Sequence, residues 1–163
     1  MQLAKSNARV RFTHWDAAPR CGLRPLLWTL GVIRMKNKER QTLDEILQSV
    51  SDFIYPDKMG KAKVEINSKD VCGDTPLHVL IGRGNNYGIE LLIDNGAEIN
   101  AVGDMGETPL HVAISQENTK AIELLLKSGA KTNIKSEFNE TAIEKANKKG
   151  GEIAQLIKKH NDT

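Results

Sequence analysis

Apolar residues along this chain fall into short stripes at helical spacing, and the stripes come in pairs. Leu77, Leu80 and Ile81 form one, and Ile89, Leu92 and Ile93 form the next after a polar turn at Gly84–Asn86. The pair is then written again as Leu110, Ala113 and Ile114, a turn at Glu117–Thr119, and Ile122, Leu125 and Leu126. Recurrence every three to four residues puts each set on one face of a helix. An earlier stripe runs through Leu43, Ile46, Leu47, Val50 and Ile54 and stops before Pro56. Thr42-Leu43-Asp44-Glu45 stands in front of it as a capping box, with Glu45 placed to reach back to Thr42. No partner helix is evident in the following Asp57–Asn67.

The punctuation repeats with the stripes. Thr75-Pro76-Leu77-His78 recurs 33 residues later as Thr108-Pro109-Leu110-His111, and again, altered, as Thr141-Ala142-Ile143-Glu144. Val64–Asn67 meets Ala97–Asn100 and Ala130–Asn133, and Leu91–Ala97 meets Leu124–Ala130. Each threonine can cap a helix N-terminus, and Pro76 and Pro109 then take the first helical position, where a missing N–H is harmless. Gly96 and Gly129 stop the second helices in the left-handed conformation. The unit is helix, turn, helix, loop.

These residues resemble the ankyrin repeat, whose signature Thr-Pro-Leu-His-x-Ala is complete at Thr108–Ala113 and carries Leu80 for the alanine in the preceding copy. The likeness runs from about Asn67 to Lys159. It implies an all-α solenoid with repeats at 67–99, 100–132 and 133–160, a capping region at 35–66, and a leader at 1–34. The third copy drifts as a terminal repeat should, and its second helix reads as one residue short. Gly88 stands where the family carries a branched apolar residue, which predicts a weaker second helix in that repeat.

Charge separates the leader from the body. Residues 1–34 carry six basic residues against Asp16, whereas 35–163 hold 17 basic and 20 acidic residues. The leader shows no periodicity and is expected to be a disordered tail or an over-extended start. A transit peptide and a nucleic-acid or membrane-surface arm are the competing readings. Cys21 and Cys72 are too few for a disulfide framework, which points to a reducing cytoplasm. The longest apolar run, Leu26–Ile33, is far below the ~20 residues that span a bilayer.

Candidate chemistry is sparse. His78 and His111 sit in equivalent places about one helix-packing distance apart, ~8–10 Å, too far to share a metal ion. The resemblance makes them structural hydrogen-bonders between loops. Gly82–Gly88 lacks the spacing and the strand-to-helix setting of a phosphate loop. No nucleophile, base and oxyanion donors assemble. The chain is therefore expected to be neither an enzyme nor a holder of a metal or cofactor.

The resemblance places partner contacts on the loop tips and the outward ends of the first helices. Carried onto this sequence, they are Val71, Asp104 and Glu137; Cys72, Met105 and Phe138; Asp74, Glu107 and Glu140; and Arg83, Ser115 and Gln116. The second column is apolar or polarisable, suited to hot-spot contacts. The third is a row of acids, which favours a protein partner presenting Lys or Arg and repels phosphate backbones. The expectation is a monomeric protein-binding module with no nucleic-acid or membrane partner. Its alternative is a dedicated inhibitor of the immunity type that occludes a toxin or enzyme.

Overall fold

The computed structural model describes residues 41–58 and 60–161; the leader assigned to 1–34 lies outside them. Among the described residues the helices are α1 (Leu43–Ser49), α2 (Ser51–Ile54), α3 (Pro76–Gly82), α4 (Asn86–Asp94), α5 (Pro109–Ser115), α6 (Thr119–Lys127), α7 (Ala142–Lys149) and α8 (Gly151–Asn161). They form two layers. Helices α3, α5 and α7 stand side by side in an inner layer, and α4, α6 and α8 in an outer one, each inner helix packed on the outer helix that follows it. The only β feature among the described residues is an isolated bridge between Lys135 and Thr141. The all-α solenoid is present.

The helix ends use the residues that the repeat supplies. After α4, Gly96 turns at φ +88 and donates its N–H to Ile93 O at 3.1 Å, while Ala97 N–H reaches Leu92 O at 2.9 Å. Gly129 and Ala130 close α6 the same way onto Leu126 and Leu125. This pair of hydrogen bonds satisfies carbonyls that the helix leaves orphaned. Asn85 and Asn118 cap the outer helices, accepting from Gly88 N and Ala121 N at 3.0 and 3.1 Å.

Two side-chain rungs tie the stack together beyond its apolar core. Asn67 Oδ1 accepts from Glu98 N, and Asn100 Oδ1 accepts from Lys131 N, both at 2.8 Å. Beneath them Leu77, Ile81, Ile89, Leu92, Leu110, Ile114, Ile122 and Leu125 are fully buried. Each such side chain stabilises the fold by roughly 1.5–3 kcal/mol.

Gly88 has a packing reason. A Cβ there would lie 2.9 Å from Leu80 Cδ1. The equivalent positions one period on are Ala113 and Ala121, both buried. One repeat fills the space between its helices with Leu and Gly, the next with two alanines. Helix α4 is as long as α6, nine residues each.

The two ends of the stack also differ from expectation. Thr42 lies one period before Thr75, so register aligns α1 with the inner helices, yet it packs against α4 in the outer layer. The capping box is formed, with Thr42 N donating to Glu45 Oε2 at 2.9 Å. The stripe expected as one helix up to Ile54 breaks at Val50, so its last turn is the separate α2, followed by a 3-10 turn at Pro56–Lys58. Arg83 Nη1 donates to Ser49 O at 2.8 Å and Tyr87 Oη to Gln41 O at 3.1 Å, pinning α1 in place. At the other end α8 runs 11 residues, so the shortening falls in the turn, where Gly150 alone separates α7 from α8.

Candidate functional site

The loops that lead into the inner helices share one hairpin-like turn. The N–H groups of Asp70, Gly103 and Ser136 donate to the carbonyls of Asp74, Glu107 and Glu140 at 3.0, 2.9 and 3.0 Å. The reversal needs a left-handed residue, supplied by Gly73, Gly106 and Asn139, types that tolerate it. Met105 is also left-handed, at φ 57. Consecutive tips are bonded to each other, since Glu137 N–H donates to Met105 O at 2.9 Å.

The expected columns sort differently in space. Val71 is 85% exposed and Phe138 63%, while Met105 is half-buried between them. Cys72 is half-buried. Val102, 48% exposed, joins the apolar set. Its signal was in the sequence, because the equivalent positions are Lys69 and Lys135.

The acid row does not stand free. Asp74 is only 4% exposed, and its Oδ1 accepts from Asp104 N at 3.1 Å. Glu107 forms an ion pair with Lys145 of α7, and Glu140 lies 2.7 Å from Lys148 Nζ. Asp74 is buried and bonded, and Glu107 and Glu140 are ion-paired inside the chain, so the expected in-register acids do not form a row of free carboxylates. Asp104 is half-buried and bonds Met105 N at 2.9 Å; Glu137 keeps an exposed side chain.

The histidines are wired into the stack. Thr75 N and Thr75 Oγ1 both reach His78 Nδ1, at 3.1 and 2.9 Å. Nδ1 accepts the backbone N–H, so the proton of the neutral ring sits on Nε2, which donates to Glu107 O at 3.2 Å. His111 repeats this with Thr108 and the carbonyl of Glu140. Burial pushes the His78 pKa down to about 4, against the opposing pull of the Glu107 carbonyl. His111 is lowered too, again chiefly by burial. Each ring caps one helix and bridges to the next repeat. Among the described residues no three His, Cys, Asp or Glu side chains gather as a metal site.

At the opposite edge, where inner helices turn into outer ones, Arg83 and Gln116 do meet. They line an open groove of about 420 Å³ with Gly84, Asn86 and Asn118. Ser115 is buried and presents little surface. One period on, a second groove of about 300 Å³ is lined by Glu117, Thr119, Lys149 and Glu152. Among the described residues no helix is long and apolar enough to cross a membrane.

The family model described as ankyrin repeats (3 copies) matches residues 36–136, and no curated protein matches the chain. The matched span takes in α1, which the sequence reading treated as a cap, and stops before α7 and α8, which continue the stack. With more than half of its length matched, its two helical layers and its histidine-bridged turns, the chain belongs to the ankyrin-repeat family.

Proposed function

We propose that this protein binds a partner protein along its loop tips, through Val71, Val102, Met105 and Phe138, with the helix ends at Arg83 and Gln116 as a flanking contact. Ankyrin repeats generally mediate protein–protein interaction and are typically non-catalytic. The observation that carries the reading is the exposure of Val71 and Phe138 on turns closed by their own backbone hydrogen bonds. The helical core is closed beneath them, so the fold itself has no use for these side chains. Large apolar groups on a rigid ridge are the material of binding hot spots. Asp104 and Glu137 flank the ridge and favour a partner that presents Lys or Arg beside its apolar contact.

Capture from the native host with Phe138→Ala/Met105→Ala, alongside wild type and the outer-layer control Lys120→Ala, tests the reading. The double variant should keep its circular dichroism and lose a partner that wild type and the control both retain. Retention of that partner by the double variant, with loss only in the Lys120 control, assigns the contact to the other face.

A further inference from the structure

Arg83 carries five N–H donors, of which one is used by Ser49 O. Asp52 attracts its charge through space but forms no ion pair with it among the described residues. The side-chain amide of Gln116, on the next repeat, makes no hydrogen bond among the described residues and lines the same groove. Among the described residues no acid lines that groove.

The second groove shows what a filled version looks like. There Lys149 stands in the register of Gln116, and Glu117 puts a carboxylate 2.9 Å from its Nζ. Glu117 does so from a left-handed backbone at φ 54. In the first groove the register position of Glu117 is Gly84, and nothing lies within 4 Å of where a side chain would begin. The cation and the amide therefore face open space where the neighbouring repeat has its own carboxylate.

We propose that the groove between Arg83 and Gln116 receives a carboxylate side chain, Asp or Glu, from a partner protein. A guanidinium fork matches a carboxylate in two parallel bonds, and Gln116 supplies a further donor from the adjacent repeat. The partner's acid takes the place that Glu117 takes in the second groove. This inference rests on the flanking contact proposed above; the site lies at the helix-turn edge, apart from the loop tips, so its test stands whether or not the tips bind.

The test is an amide-resolved NMR titration of the full chain with N-acetylglutamic acid α-amide. N-acetylglutamine α-amide and inorganic phosphate serve as the comparison probes. Saturable shifts are expected at Gly82, Gly84 and the Gln116 side-chain amide, with Gly150 and Gly151 of the second groove still. Arg83→Gln should weaken binding about tenfold or more. Gln116→Ala, which leaves the Arg83–Ser49 bond untouched, should weaken it severalfold. Several outcomes overturn the proposal: no saturable shift up to about 50 mM glutamate probe, an equal response to the glutamine probe, equal shifts in both grooves, or unchanged affinity in both variants. Phosphate binding more tightly than the glutamate probe overturns it too, by assigning the groove to a phosphoryl group.

Discussion

The two interior repeats and the C-terminal unit open their inner helices on the same register, but they place different chemistry at the third helical position. Inside the stack it is His78 or His111, fully buried, capping its own helix through Nδ1 and donating through Nε2 to the next loop. In the C-terminal unit it is Glu144, exposed, whose Oε2 accepts from Thr141 N at 2.7 Å. Glutamate and histidine are both adequate caps. Only the imidazole has a second nitrogen on the far side, and a second function is wanted only where another described repeat follows. Ile81 and Ile114 likewise give way to exposed Asn147. The terminal unit carries the same backbone signals with the interface chemistry removed.

Exchanging the two chemistries should break the comparison most strongly. His111→Glu buries a carboxylate beside the Glu140 carbonyl and should cost about 3 kcal/mol or more. Glu144→His changes little, because its site is open to water. Urea denaturation of both checks this, and equal losses would mean that burial is not what separates the two positions.

The interior interface should also resist a single added methyl. Gly88→Ala brings Cβ against Leu80 and should cost about 1–3 kcal/mol. Adding Leu80→Ala recreates the alanine pair of the next repeat, so the double variant should lose less than the sum of its single changes. Additive losses in the double-mutant cycle would show that the two positions do not share the space.

Acid probes the same interface more gently. The folded pKa of His78 lies below its ordinary value, so the unfolded chain takes up the proton first. Stability is complete above about pH 6.5 and falls as pH drops toward 4. The loss from His78 alone should reach about 1 kcal/mol near pH 5.5, with His111 adding in the same direction. Glu144 is held below its ordinary value by its bonds from Thr141. Urea midpoints at pH 7.0 and 5.5 test it, and His78→Gln should flatten the slope.

The smallest expected effect sits at the edge. Glu117 occupies a left-handed backbone where Gly84 and Gly150 stand in the neighbouring repeats. Glu117→Gly releases that strain and loses an exposed ion pair to Lys149. A net gain of about 0.5 kcal/mol is expected. A loss would show that the ion pair outweighs the strain.

Much of this was readable in advance. The period of 33, the threonine caps, the proline starts, the glycine stops and the linking histidines all rest on contacts between residues a few positions apart, or on one offset repeated down the chain. Val102 could have been found by comparing it with Lys69 and Lys135. The layer taken by α1 could not, because its capping box announces a helix and says nothing of which neighbour that helix will meet.

By itself the sequence determined the repeat and its local chemistry, since backbone groups at fixed offsets must be satisfied by residues of fixed type. The tertiary structure decided the surface. Glu107 became an internal partner of Lys145, 38 residues away, and Asp74 a buried acceptor for the next loop, while Arg83 was left facing an open groove. A charge has no neighbour until the stack supplies one, so whether it is held or free depends on side chains that only the packed repeats bring together.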